Sequence, residues 1–388
     1  MSYKMSAYGN YIIVVALVTT IPASCVSSNK NTFANQFYKQ MSTFYGNKNL
    51  VCSPVGLKIA MAIMHAGSAG NTGDEIRKSM NFGEQSPNLE TLKNEIEFLR
   101  TPGLRMTIKL FVNKNVTVKK TFEDDVNNIS SAVGVGKVPF SEDRRGSAEA
   151  INNWTSSSTD KKIKEIVKQD DITSGTRLII ANAAHFLSKW KYAFDKKKTI
   201  FGYFTNLHNA NTKVRYMTDT FLANYSQIVK LRAKILQLPF EDDAFQMIIL
   251  LPQTNADLKF VEGEVSKMDM SEIVGLLQPT VIEVRLPVFK LVSLVNPRRP
   301  LQNLGIKQLF TPGADLRNIS DSGIYVDKII QKVSIEINEN GNQTSPLNEK
   351  YKKNATLPRF YANTPFMFAI VDQTTTPLFC GKYTGENN

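Results

Sequence analysis

Residues 333–370 read VSIEINENGNQTSPLNEKYKKNATLPRFYANTPFMFAI, a polar stretch held between two strand patterns. Val333, Ile335 and Ile337 alternate with Ser334, Glu336 and Asn338, which is the period of a half-buried strand. Phe366, Met367, Phe368, Ala369 and Ile370 form the short apolar run of a core strand. What lies between is rich in Asn, Gly, Pro, Lys and Thr. It is longer than a compact domain needs to turn a corner, so it reads as a functional loop, a plain surface loop or chain without fixed structure.

The whole chain bounds the choice. Its 388 residues, 42% of them hydrophobic, suffice for a large core in one large domain or two ordinary ones. A formal charge of +12 and an isoelectric point near 9.4 admit acidic surfaces, polyanionic sugars and nucleic acid on charge alone. The cations are spread along the chain, however, and no nucleic-acid partner is expected. KKIKEIVK at 161–168 reads as the solvated face of an amphipathic helix, with weak polyanion binding as the sharper alternative.

Lys4, the apolar run Tyr11 to Val18, and then Thr19, Thr20, Pro22, Ala23, Ser24 and Cys25 have the order of a secretory signal peptide. Cleavage is expected around Ala23 to Cys25, giving residues 1–25 as the leader and 26–388 as the mature chain. No stretch reaches the roughly 20 apolar residues of a spanning helix, so no membrane partner is expected. The closing residues GENN carry no retention signal, and export to the extracellular space follows. Seven Asn-x-Ser/Thr sequons fit that compartment: Asn115, Asn128, Asn153, Asn224, Asn318, Asn342 and Asn354. Asn153, beside Trp154, is expected to lie too near the core to carry glycan. Of the three cysteines, Cys25 leaves with the leader or sits at the new terminus, while Cys52 and Cys380 occupy apolar strand-like settings. An oxidising compartment permits a bridge between them, and two buried free thiols are the other reading.

Helical spacing of apolar residues predicts helices at Asn31 to Phe44, at Ser53 to Ala66 behind a SerPro start, at Asp74 to Met80, at Leu89 to Leu99 and at Glu149 to Val167. Strand patterns fall at Arg105 to Val112, Arg177 to Phe186, Phe204 through Met217, Ala233 to Pro239, Phe245 to Leu251 and Ile282 to Leu286. Helices come early and strands late with little strict alternation, which suggests an α+β chain on large mixed or antiparallel sheets. Neither a repeat nor a composition break marks a linker, and one domain is expected.

Catalytic motifs fail on their own terms. The three histidines are His65, His185 and His208, and AGSAG at 66–70 lacks the first glycine of a nucleophile elbow and follows a helix. GVGKV at 134–138 lacks the leading glycine and the hydroxyl of a phosphate loop and reads as a turn. Nothing has metal-ligand spacing, so neither enzyme activity nor a cofactor is expected. His185 reads as a hydrogen-bonded strand histidine, and Trp190 and Phe194 as core or support residues.

Motifs in order carry the reading further. NLVCSPVGL at 49–57, AGNT at 69–72, NAAHF at 182–186 followed by Trp190 and Phe194, LQLPF at 236–240, LPVFK at 286–290, LGI at 304–306, EINENG at 336–341 and FYANTPFMFAI at 360–370 together resemble the serpin family of serine protease inhibitors. The match runs along essentially the whole mature length. Thr364 stands where the family usually places a basic residue. The resemblance implies a fold of about nine helices and three β-sheets with an exposed reactive-centre loop, here about 341–360, on a monomeric single domain. It implies a loop that an extracellular serine protease cuts. The freed end then enters a sheet as a new strand while the protease is still acylated.

In those terms the hinge is Glu339, Asn340, Gly341, Asn342, Gln343, Thr344, Ser345, Pro346 and Leu347. Inhibitory members place small residues here, whereas Asn342 is polar and Pro346 has no N–H for a central strand. Irreversible trapping is therefore doubtful, and a non-inhibitory binding or carrier protein is the alternative. Counting forward from Gly341 puts the cleaved bond between Ala355 and Thr356, and counting back from Pro365 puts it between Asn354 and Ala355. Lys352 and Lys353 are the chemically attractive positions for a trypsin-like protease, whose acidic pocket suits lysine.

Overall fold

The computed structural model describes residues 33–83, 92, 93, 96, 101–343 and 357–386. The signal-peptide residues 1–25, most of the helix expected at Leu89 to Leu99, the hinge residues Thr344, Ser345, Pro346 and Leu347, and the bond candidates Lys352, Lys353, Asn354, Ala355 and Thr356 lie outside the described residues. Among the described residues the α-helices are α1 (Phe33–Tyr45), α2 (Pro54–Ala66), α3 (Gly70–Ser79), α4 (Lys120–Asn127), α5 (Arg144–Ser158), α6 (Leu258–Val265), α7 (Met270–Val274) and α8 (Arg298–Asn303). The strands are β1 (Leu50–Cys52), β2 (Leu104–Asn113), β3 (Val133–Val138), β4 (Leu178–Phe186), β5 (Trp190–Tyr192), β6 (Ile200–Thr205), β7 (Asn211–Ile228), β8 (Ala233–Pro239), β9 (Phe245–Pro252), β10 (Gln278–Pro287), β11 (Phe289–Val295), β12 (Lys328–Ile337), β13 (Gly341–Gln343), β14 (Arg359–Tyr361), β15 (Phe366–Asp372) and β16 (Pro377–Tyr383).

The strands form three sheets, the number the resemblance implies. A five-stranded sheet runs β11-β12-β4-β2-β3, a nine-stranded sheet runs β1-β16-β15-β9-β8-β7-β10-β14 with β6 on β7, and β13 pairs with β5. The start of α2 falls where its SerPro cap put it, whereas α5 begins at Arg144, five residues before the expected Glu149, and α3 at Gly70, four before Asp74. Ser53 Oγ accepts the Gly56 N–H ahead of α2, and Asp143 accepts the Gly146 N–H at 2.8 Å ahead of α5. β4 is buried at every position, because one face of the five-stranded sheet meets the main core while the other is covered by α5 and the chain after it.

Two expectations fail here. The helix predicted through Val167 stops at Ser158, since Asp160 (φ 49) and Lys161 (φ 60) adopt left-handed backbone that ends it. Residues 161–168 then form no helix, and Ile163, Ile166 and Val167 cover Ile179, Ala181 and Ala183 of the sheet. GVGKV is not a turn but belongs to β3, parallel to β2 from Ile108 to Asn113. A Cβ on Gly136 would meet the flexible end of Lys109, 2.7 Å from its Cε, and one on Gly134 would lie 3.0 Å from Asn127 Oδ1 of α4.

Candidate functional site

The site is built where β12 leaves the five-stranded sheet. β12 and β4 run parallel and pair directly from Lys328 opposite Ile179 to Ile335 opposite Phe186. Both flanking ladders, β11 with β12 and β4 with β2, are antiparallel. Parallel pairing is slightly weaker per residue than antiparallel. A strand that folded back from the end of β12 into this seam would replace one parallel ladder with two antiparallel ones.

In the described structure the chain does not fold back. Beyond Ile337 it runs on beside β5, the strand that follows β4, with Gly341 opposite Trp190 and Gln343 opposite Tyr192. The Trp190 indole Nε1 donates to Asn338 O at 2.7 Å, and the Trp190 N–H donates to Asn340 O at 2.8 Å. Trp190 itself is fixed by stacking on Phe240, 4.4 Å between centroids and 9° between planes, and by the edge of Phe194 at 5.9 Å. Gly341 is needed there because an added Cβ would lie 2.4 Å from Ala193 Cα. Trp190 and Phe194 are thus support residues, as expected.

Glu339 pins the turn. Its carboxylate Oε1 accepts from Arg215 at 2.7 Å and from Thr199 at 3.0 Å, and its carbonyl accepts the Phe194 N–H at 3.2 Å. Burial pushes this carboxyl up, but its own backbone N–H, Thr199 and Arg215 outweigh that and hold it below the usual glutamate range. The far end of the loop is tied down separately. β14 pairs in parallel with β10, Tyr361 Oη donates to Glu283 Oε1 at 2.6 Å, and the Arg285 guanidinium lies 4.3 Å from the Tyr361 ring centroid. Both ends of the segment 344–356 are therefore anchored beside β7, one through Arg215 and the other through β10.

Sequence reasoning named Glu339, Asn340 and Gly341, with Trp190 and Phe194 as support, but missed the side chains that hold the Glu339 carboxylate, Arg215 and Thr199. Arg215 lies 124 residues from Glu339, and nothing in either local pattern joins them. It also missed Gln331, fully buried within β12, although a lone amide in an apolar strand was a visible signal. Cys52 and Cys380 are brought together as register partners of β1 and β16, both buried and both free thiols, so the bridge is not formed in this structure. Asn115, Asn128, Asn224 and Asn318 are exposed. Asn153 is also exposed, on α5, with Trp154 turned to the half-buried side; the expectation that it lies too near the core is corrected.

A family model described as Serpin (serine protease inhibitor) matches residues 28–385. The chain belongs to the serpin family. It is 28% identical over 380 residues to human Serpin I2, covering 94% of this chain and 93% of that one. To Intracellular coagulation inhibitor 2 of Tachypleus tridentatus it is 28% identical, covering 91% and 90%. Among solved structures it superimposes on Serpin48 of the insect Tenebrio molitor with a TM-score of 0.82 at 26% identity, covering 92% of this chain and 97% of that one. In this serpin the closed β4–β12 seam, the Glu339 turn and the two loop anchors form one connected arrangement. Among the described residues no helix is long and apolar enough to cross a membrane.

Proposed function

We propose that this serpin is a secreted, non-enzymatic single-domain protein (26–388) that presents residues 341–360 as bait to an extracellular, trypsin-like serine protease and traps it inefficiently. The observation that carries the reading is the parallel β4–β12 seam beside an anchored turn at Glu339, because a cut loop has a favourable place to go. The relatives support inhibition as the general activity. The lysines at 352 and 353 support a protease with an acidic specificity pocket. Export is supported by the apolar N-terminal run and by the exposed sequons at Asn115, Asn128, Asn153, Asn224 and Asn318.

Inefficient trapping rests on the residues that must become the new strand. Pro346 has no N–H to offer a ladder, Asn342 would bring an amide or a glycan into the sheet, and Leu347 is large where small residues serve insertion best. Those same residues favour a second reading, a binding or carrier serpin whose loop is merely cut. Incubation with trypsin followed by denaturing electrophoresis decides between them. A mixture of a protease adduct and clipped chain supports the proposal, clipped chain alone supports the second reading, and a loop that trypsin never cuts removes the bait.

A further inference from the structure

The hairpin beside the hinge carries a surface that baiting a protease does not use. β6 is an outer strand and pairs, among the described residues, with β7 alone. Its register sets Phe201 opposite Arg215 and Tyr203 opposite Lys213 on one face. Phe201 and Tyr203 are each 67% exposed, and the Lys213 ammonium lies 5.0 Å from the Phe201 ring centroid. Lys196 and Lys197 stand exposed just ahead of the strand. Among the described residues no carboxylate forms an ion pair with either of them or with Lys213, whereas Lys198 and Arg215 are taken by Asp219 and Glu339. Edge strands are usually blunted by charge, proline or a cover, and two large exposed aromatics on one are out of keeping with that.

The backbone of β6 supplies an independent observation. The Thr205 N–H leaves the hairpin to reach Asn363 O at 2.9 Å. By the two-residue alternation of an antiparallel ladder, the N–H groups of Tyr203 and Phe201 also point away from β7. Among the described residues neither is paired with another backbone carbonyl beyond the hairpin.

We propose that the outer edge of β6, where the N–H groups of Phe201 and Tyr203 face outward although the Tyr203 carbonyl accepts from Tyr216 Oη at 3.1 Å, docks an extended acidic segment of a partner protein as an added strand, with Phe201 and Tyr203 as apolar contacts and Lys196, Lys197 and Lys213 as partners for its carboxylates. The chemistry selects this occupant over others. Segment 1–32 of this chain contains no Asp or Glu, and segment 344–356 sets Glu349 against Lys350, Lys352 and Lys353, so neither complements the lysines. A second copy would place lysine against lysine. A lipid surface would leave the outward N–H groups unpaired in an apolar medium, and a sulfated sugar would match the cations but neither the rings nor the ladder. An added strand meets all three needs. The place is apt as well, since Arg215 on this face holds the hinge, so a protein engaged at the loop lies next to it.

The test uses the full chain and a fluorescein-labelled octapeptide of alternating Glu and Val, followed by anisotropy at low ionic strength. Saturable binding is expected, with none to the Gln–Val peptide. A Lys197→Glu, Lys213→Glu double variant with an unchanged thermal midpoint should bind about tenfold more weakly, since two exposed charge pairs are removed. Tyr203→Pro, which deletes an outward N–H, should weaken it too. No binding, equal binding of both peptides, or full binding by the double variant overturns the proposal. If heparin or phosphatidylserine vesicles bind through the same lysines while the peptide does not, the surface belongs to those ligands and the proposal falls. Peptide binding is read without any protease, so a chain that binds the peptide but forms no trypsin adduct keeps the docking surface and loses the bait reading.

Discussion

Gln331 donates its side-chain amide to Asn182 Oδ1 at 2.7 Å, directly across the seam where β12 and β4 run parallel. The same amide donates to Ser53 O at 2.8 Å, and Gln331 Oε1 accepts the Ser53 N–H at 2.8 Å. Asn182 in turn donates to Thr107 O on β2 at 3.1 Å. One fully buried side chain thus joins β12, β4 and the entry to α2. Any strand entering the seam must separate Gln331 from Asn182, so this network resists opening as well as holding the core.

Replacing Gln331 with Ala should therefore destabilise the protein and loosen the seam together. Deleting the amide leaves the Ser53 N–H and Asn182 Oδ1 without their partner, at a cost of about 1–3 kcal/mol for each buried polar group stranded. Thermal and urea midpoints of the variant should both fall. A variant that melts with the parent would show that water or a neighbour replaces the amide at no cost.

Acid should undo the Glu339 anchor. A carboxyl held below its ordinary value in the folded state contributes stability that is fully present above the unfolded value, 4.5 for glutamate, and is lost as pH falls through the folded one. Glu339→Gln should therefore lower the melting temperature at neutral pH, and the gap from the parent should close as pH drops below the glutamate range. A gap that is constant with pH would mean that shape rather than charge holds the turn. Arg215→Ala should reproduce the neutral-pH loss.

The two buried thiols offer a check on redox state. Burial pushes the Cys380 thiol up to about 12 and raises Cys52 well above its usual value, with the charge of Cys380 adding to the burial of Cys52. Only the thiolate reacts with alkylating agents, so iodoacetamide should leave both intact in the native protein and label both after denaturation. As antiparallel register partners they stand about 4.5–5.5 Å apart at Cα, within reach of a bridge. A purified chain that takes up no label at Cys52 and Cys380 after denaturation, until reductant is added, would establish the disulfide.

Much of the architecture was legible because local physics wrote it. β12 and β15 showed in the alternation from Val333 to Ile337 and the run from Phe366 to Ile370, and α2 showed in its SerPro cap. The failures share a cause, which is that tertiary demand overrode a local pattern. Ile163, Ile166 and Val167 have helical spacing but are spent covering a sheet, and Gly134 and Gly136 resemble a turn but lie inside a strand paired with β2. Within the site, the turn itself was readable in EINENG. Arg215 was not, because a charge pair between distant strands leaves no mark on either neighbourhood.

Trapping by this serpin should improve when Pro346 is replaced by Ala. Insertion succeeds only if the cut loop enters the β4–β12 seam before the acyl-enzyme is hydrolysed, so the outcome is a ratio of two rates. One facing carbonyl left unpaired by Pro346 costs about 1–3 kcal/mol. If half to all of that appears in the insertion barrier, entry slows by roughly 2-fold to over 100-fold, because about 1.36 kcal/mol is a factor of ten. Pro346→Ala should raise the share of trypsin held as a denaturation-resistant adduct, and Asn342→Gln should add to it if that sequon carries glycan. Hydrolysis of the acyl bond is chemistry of the protease and should not change between variants. Cleaved parent and cleaved variant should also differ in melting temperature, the variant gaining more over its uncut form because its new strand pairs more completely. Equal adduct fractions and equal gains for parent and variant would acquit Pro346, and the cause of any weak trapping would then lie in the length of the loop between Gly341 and Arg359 rather than in its hydrogen bonding.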